Sequence, residues 1–429
     1  MPGKIPRAAC QRNSAGRRSV LVRVAAALAG LAFLAGVYWV ARQGWAEWEL
    51  RKGTEEGASR AAELAPGNAR YWAGRSDWGS PERVSDLERA VALNPYYSEA
   101  WIELGLIAEA RGDPENAERH LLEAARVDRG FGPRWTLANY YYRRQDREKF
   151  WEWAGQALEM SSGDATALYR LCWLLEPDGE KILARAIPRN ADHLARYLLF
   201  LVSERRLREA ARTAGLVLEK GGGAHRGMLV NLCEQLVAAG ELDEALAVWN
   251  GMVAHGLLAF SRLDPERGPW LTNGELAATP LSAGFDWRIL TVEGVSIEGI
   301  GAGRGLRIRF SGRQPEQCEL LVQYVPAGPG SCYRLEYEYE TNGLPRESGL
   351  RWRISGAERR DPIVTGTEYL WREQEGAGML RICVPPRTRL LKLSLRYDRA
   401  PGTTPIEGWL LLRRVRLNRE AGGAPGVNS

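Results

Sequence analysis

Residues 94–128 read NPYYSEAWIELGLIAEARGDPENAERHLLEAARVD, and this stretch decides the architecture of the first half of the chain. Apolar residues recur at helical spacing on both sides of Gly112-Asp113-Pro114, which predicts two short helices joined by a tight turn. The same texture extends outward over residues 44–256, broken by Gly, Asp and Pro signals at intervals of roughly 12 to 18 residues, the pattern of stacked helix pairs. A period can be counted: Trp101, Trp135 and Tyr169 lie at successive steps of 34, since 135 − 101 and 169 − 135 are both 34.

The stretch resembles the tetratricopeptide repeat. Trp101, Leu104 and Gly105 fit the start of that repeat's first helix, and Ala108 stands where a Tyr is usual. Ala117, Leu121 and Ala124 fall on the packing face of the second helix, and the small Gly105 and Ala117 let the two helices approach closely. Upstream, Pro66 precedes Trp72 by six residues, as Pro95 precedes Trp101. Downstream, Gly240 to Ala245 repeats the spacing of Gly112 to Ala117, and Arg205 to Ala210 echoes it without the Gly. Five to six repeats are expected between about residues 60 and 256, with Glu176 to Asn190 departing most from a standard helix pair. The resemblance implies a superhelix that binds a protein or peptide partner. Most of the matched residues are expected in the stacking core. Tyr140, Tyr141, Arg143 and Arg144 form a candidate partner contact, because consecutive positions point in different directions around a helix and aromatics and Arg are enriched at interfaces.

Before the helices, residues 20–41 (VLVRVAAALAGLAFLAGVYWVA) predict a single transmembrane helix, long enough at 1.5 Å per residue to span roughly 30 Å. Lys4, Arg7, Arg12, Arg17, Arg18 and Arg23 all stand before the segment's uncharged run with no acidic residue among them, so residues 1–19 are expected in the cytoplasm and the body beyond it. The alternatives are a cleaved signal peptide and a buried soluble helix. The length of the run and its ending in Tyr38-Trp39-Val40, with no small-residue cleavage site, favour the uncleaved anchor.

Past a turn-rich linker at 257–275 the period of the pattern changes to two. LRIRF (306–310), YRLEYEYE (333–340), LRWRI (350–354) and LKLSLRY (391–397) alternate strictly, and a further strand covers about 409–417. One face carries Leu306, Ile308, Phe310, Tyr333, Leu335, Tyr337, Tyr339, Leu350, Trp352, Ile354, Leu391, Leu393 and Leu395. The other carries Arg307, Arg309, Glu336, Glu338, Arg351, Arg353 and Lys392, whose charges can pair across strands. An antiparallel all-β sandwich or jelly roll is expected over residues 276–418, followed by a disordered tail at 419–429. Together with GFDWRI (284–289) and the closing GWLLLRRVRL, the region resembles the carbohydrate-binding-module-type jelly rolls appended to bacterial repeat proteins. That resemblance implies glycan binding through exposed aromatics. Parity places Trp352, Tyr337 and Tyr339 on the apolar face, leaving Tyr369 and Trp371 as the candidate glycan platform.

Composition narrows the function. Only six of the 58 basic residues are lysines, and the net charge of +5 divides into +6 for residues 1–23, −5 for 24–270 and +4 for 271–429, which argues against nucleic acid as a partner. No H-E-x-x-H, G-x-S-x-G or Walker lysine occurs, the four histidines stand at unrelated spacings, and the glycine run 299–305 leads into a strand rather than a helix. No catalytic residue, cofactor or metal is therefore expected. Five cysteines follow the membrane segment, an odd number with no metal-ligand spacing, and buried free thiols are the expectation for them. The sequence thus points to a multidomain protein: a single transmembrane helix, an all-α repeat superhelix and an all-β sandwich. The expected protein is a bacterial inner-membrane scaffold, not an enzyme, which displays its body in the periplasm for protein partners in envelope or polysaccharide assembly or export. The alternative is a glycan-binding receptor or adaptor acting through the sandwich.

Overall fold

The computed structural model describes residues 10–77, 82–300, 305–357, 364–371 and 376–420. Residues 1–9 of the basic lead, 301–304 of the glycine run and 421–429 of the tail lie outside the described residues. The chain divides into two compact units, Met1–Ala186 and Ile187–Ser429.

Among the described residues, the regular elements of the first unit are all helices. α1 (Cys10–Arg51) is a single 42-residue helix. It is the one helix among the described residues that is long and apolar enough to cross a membrane, a property that a signal sequence shares. Leu28, Leu31, Phe33 and Leu34 all stand exposed along it. The helix does not stop at Ala41. Its last turns bury Ala46 against Ala61, Ala62, Ala65 and Tyr71 of the segment formed by α2 (Glu55–Leu64) and α3 (Ala69–Ser76). α4 (Arg83–Leu93), α5 (Ser98–Ala110), α6 (Pro114–Val127), α7 (Phe131–Arg143), α8 (Arg147–Met160), α9 (Thr166–Leu175) and α10 (Gly179–Arg185) follow. The irregularity expected at 176–190 is a helix of only seven residues, α10.

Local chemistry explains these elements. Asp113 caps α6 by accepting from the amide of Asn116, with Pro114 in the first turn where its missing N–H costs nothing. Gly112 adopts φ +76°, and the amide of Asp113 closes back on the Ala108 carbonyl at 2.9 Å. A Cβ on Gly105 would fall 2.6 Å from the Leu121 side chain, so glycine there sets the closeness of α5 to α6. The six-residue step from proline to tryptophan also acquires a cause: Trp72 and Trp101 each donate their indole N–H to the carbonyls of Pro66 and Pro95 at 2.9 Å, locking the turn to the next helix.

The second unit joins helices to a β-sandwich. α11 (Ala191–Ser203), α12 (Leu207–Glu219), α13 (Arg226–Ala239) and α14 (Leu242–Ala254) precede ten strands among the described residues. These are β1 (Arg288–Ile289), β2 (Val295–Gly299), β3 (Leu306–Ser311), β4 (Gln317–Pro326), β5 (Cys332–Asn342), β6 (Leu350–Gly356), β7 (Val364–Gly366), β8 (Gly376–Cys383), β9 (Leu390–Asp398) and β10 (Glu407–Arg419). They form two five-stranded sheets, ordered β1-β4-β9-β6-β7 and β2-β3-β10-β5-β8, with antiparallel pairing throughout. All thirteen residues assigned by alternation to the apolar face are buried between the sheets. β4 escapes the period-two reading because the run from Leu320 to Gln323 is buried without a break, so its polar face is lost. β2 and β3 pair as antiparallel neighbours, and beyond Gly299 the Ile300 amide donates to the Gly305 carbonyl.

Residues 257–275, expected as a linker, are folded onto the rest of this unit. Leu263 exchanges both backbone bonds with the Asn250 amide, and the Trp270 ring packs edge-on against Tyr333. Helices and sandwich meet where Gly284 (φ +62°) lies on the Trp249 ring, so closely that a Cβ would come within 2.6 Å. Phe285 sets its edge against the same ring at 5.8 Å, and Arg389 forms a bidentate ion pair with Asp243.

One expectation is corrected. Cys332 and Cys383 are joined by a disulfide rather than left as buried free thiols. They are direct register partners on β5 and β8, strands that neighbour in the sheet although their cysteines lie 51 residues apart. Alternation gives the faces of strands and not their order, so sequence could not bring the two together. Cys172 and Cys233 are free and buried, and Cys318 is free and half-buried.

Candidate functional site

The helical candidate begins at α7, where YYYRR places five large side chains in succession. The structure separates them. Tyr140 and Tyr141 are buried, which removes them as a contact surface: Tyr140 donates to the Pro114 carbonyl at 3.0 Å and Tyr141 to Glu118 at 2.7 Å. Lys149 of α8 reaches the same Glu118 oxygen at 2.7 Å and lies 5.0 Å above the Tyr141 ring. Lys149 and Tyr141, by bonding to it, hold the Glu118 carboxyl below the ordinary carboxylate range, while burial and the nearby Glu118 push the Tyr141 phenol upward. Arg143 is exposed but engaged, with Nε and Nη2 on the two oxygens of Glu109 at 2.8 and 2.6 Å. Glu109 and Arg143 are 34 residues apart, so this pair ties one repeat to the next. Arg144 is exposed.

Of the packing positions, Leu104, Gly105, Ala117, Leu121 and Ala124 are buried as expected, and Trp101 is half-buried with its ring stacked on His120 at 5.5 Å. What the sequence reading missed is the apolar surface left over. Leu174 on α9 is 70% exposed and Tyr96 before α5 is 74% exposed. A helical wheel would have found the first, since Leu168, Tyr169, Cys172 and Trp173 already fill the inner stripe of α9.

On the sandwich, Trp371 is exposed with the Arg346 guanidinium 5.4 Å from its ring, and Tyr369 is half-buried with Arg351 at 6.0 Å. Trp352, Tyr337 and Tyr339 belong to the core. The Tyr337 and Tyr339 rings lie across Gly378 and Gly376, where a Cβ would collide with them. A cleft of about 380 Å³ opens on β5, β8 and β10, lined by Glu336, Glu338, Met379, Arg414 and Arg416 among others. Its charges are already matched: Arg414 bonds Glu338 at 3.0 Å and Glu275 at 2.7 Å, and Arg416 bonds Glu275 at 2.9 Å. Burial works against the Glu275 carboxylate, yet the two arginines outweigh it and hold it below its ordinary range. A ligand would have to replace these pairs with polar groups of its own. Among the described residues no three His, Cys, Asp or Glu side chains gather where they could hold a metal.

No protein-family model matches the chain, and no curated protein matches it. Solved structures similar to parts of it include a tetratricopeptide-repeat protein and carbohydrate-binding modules. YrrB, described as a TPR protein with an unusual peptide-binding site, is 13% identical, covers 47% of this chain and 93% of its own, with a TM-score of 0.24. The module CBM4 is 11% identical over 34% of this chain and 98% of its own, with a TM-score of 0.27. The module TmCBM61, solved with β-1,4-galactotriose, is 14% identical over 31% of this chain and 88% of its own, with a TM-score of 0.22.

Proposed function

We propose that this chain is a membrane-anchored scaffold of the bacterial inner membrane that holds its helical repeats and sandwich outside the cytoplasm and binds protein partners there, as a non-enzymatic member of an envelope or polysaccharide assembly or export system. The observation that carries the reading is the joining of an exposed apolar helix to the repeats by continuous helix: α1 leaves its apolar stretch and within one to two turns is packed into the first repeats through Ala46. Such a junction holds a binding surface at a fixed height above a membrane. The Cys332–Cys383 disulfide supports an oxidising compartment for the body. The exposed apolar Leu174 supports a protein partner on the repeats, because the buried stripe of α9 is complete without it.

The test is photo-crosslinking from residue 174 in intact cells, with Leu174→Glu in an affinity purification as the second arm. The reading expects a discrete protein adduct from position 174 and loss of that same protein from the Leu174→Glu purification. Absence of an adduct, or a partner retained by the charged variant, contradicts it.

The exposed ring of Trp371, with Arg346 beside it, favours a second reading in which the sandwich receives a glycan. Glycan-array binding by the intact protein, abolished by Trp371→Ala, would support that role.

A further inference from the structure

We infer that the first unit holds the phosphate of a lipid headgroup in a groove between the end of α1 and the first interhelical turns, an inference that rests on reading α1 as membrane-spanning. The groove encloses about 690 Å³. One wall is the last turn of the apolar segment, with Trp39 and Arg42. The other comprises the turn before α3 with its cap Asn68, Arg70 in the first turn of α3, and the turn before α5, including Tyr97.

Position and charge together specify the ligand. Arg42 follows Val40 by about 3 Å of helix rise, and Ala46 by about 9 Å. The headgroup layer on each face of a bilayer is roughly 5–7 Å thick, so a groove walled by Trp39 and Arg42 and closed by a body that starts at Ala46 lies within that layer. Trp39 is exposed, as suits an aromatic ring at the interface. Arg42 and Arg70 line the groove and no Asp or Glu does. Both guanidinium groups are loosely held. Arg42 reaches the Glu63 carbonyl at 3.4 Å, and the exposed Arg70 stands 3.4 Å from each oxygen of the half-buried Glu47, long contacts that a phosphate can replace. The first turn of α3 adds the positive end of its peptide dipoles. Burial pushes the Tyr97 phenol upward, so it remains a hydrogen-bond donor. The exposed side chains of Leu28 and Leu31, each eleven residues or about three turns before Trp39 and Arg42 and so on the same face of α1, continue from this site into the apolar stretch, where acyl chains would lie, which favours a lipid over free phosphate.

The experiment uses the full-length protein in neutral detergent, titrated with short-chain phosphatidylglycerol and, in a separate arm, inorganic phosphate, with bound lipid counted by native mass spectrometry. One saturable phosphatidylglycerol is expected, held more tightly than inorganic phosphate. Arg42→Ala and Arg70→Ala should each weaken it about fivefold, the worth of one arginine at an anionic lipid surface, and the double variant roughly 25-fold. Arg60→Ala, an exposed arginine outside the groove, should leave binding unchanged. Equal weakening by Arg60→Ala, absence of a saturable lipid, or phosphate bound as tightly as lipid overturns the proposal. Alkaline extraction of membranes separates its two supports. Release of the wild-type chain defeats the anchor and the site with it, whereas a retained chain with no saturable lipid defeats the groove alone.

Discussion

In the second unit, Nη2 of Arg288, on β1, donates to Oε2 of Glu234, on α13, at 2.5 Å. The same carboxylate oxygen accepts the Gly284 amide at 2.7 Å, and the Arg288 guanidinium lies 4.5 Å from the Tyr324 ring. Glu234 thus ties the last helices to the sandwich at a point where the Arg288 side chain is only 11% exposed. Glu234→Ala leaves that cation nearly buried and unpaired. It should cost about 2 kcal/mol, below the full figure for breaking a buried pair because Glu234 itself is partly exposed. Thermal and urea unfolding of the full chain in detergent measures this, and a loss under about 0.5 kcal/mol would mean the contact is incidental.

The helix-ending turns share one backbone device with different residues. Gly112, Gln145, Arg205 and Gly240 all have positive φ, and in each case the following amide closes onto a carbonyl in the preceding helix. A side chain in that conformation costs about 1 kcal/mol, which glycine avoids. Gln145→Gly and Arg205→Gly should therefore each stabilise the chain by about 0.5–1 kcal/mol, and Gly112→Ala should destabilise it by about 1 kcal/mol. Unfolding midpoints of the three variants check the opposite signs.

Cysteine chemistry gives a count. Under denaturing, non-reducing conditions four of the six cysteines should alkylate, rising to six after reduction, because Cys332 and Cys383 are paired. In the native protein Cys172 and Cys233 should stay silent at pH 8, since burial pushes the Cys172 thiol up to about 12 and Cys233 upward as well. Cys332→Ser should lower stability by about 2–4 kcal/mol. Mass spectrometry of alkylated protein reads the first two outcomes, and six reactive thiols without reductant would contradict the pairing.

Glu118 predicts an acid dependence. Its folded carboxyl lies below the ordinary range of about 4.3, first through Lys149 and then through Tyr141. A depressed carboxyl contributes stability that is present above the unfolded value and is lost as pH falls through the folded one. Glu118→Gln should be about 1 kcal/mol less stable than wild type at pH 7, and the gap should close as the pH drops below about 4.3. Paired unfolding curves from pH 7 to pH 3 test this, and a gap that stays constant would assign the effect to packing.

These features divide by how far their causes lie apart in the chain. The helix pair at 94–128 and the inward faces of the β-strands were legible because periodicity is local: Leu104, Leu121, Leu335 and Trp352 are all buried where the pattern put them. The turn at Arg205 was legible from its spacing although it lacks the glycine, whereas the one at Gln145 was obscured because it carries no glycine to mark it. Tyr140 and Tyr141, named as a candidate partner contact, are buried on Pro114 and Glu118, which lie in the preceding helix pair, out of reach of a local pattern. The disulfide, the clasp of Glu234 on Arg288 and the cleft containing Arg414 and Arg416 depend on strand order and helix docking, which one sequence does not display.

Protease protection in spheroplasts tests the central claim, an anchored body outside the cytoplasm, most directly. With a tag on the N-terminus, protease added from outside should digest the body and leave a short, membrane-embedded tagged fragment ending soon after α1. A fully protected chain, or a soluble mature chain beginning near Gly44, would contradict the account.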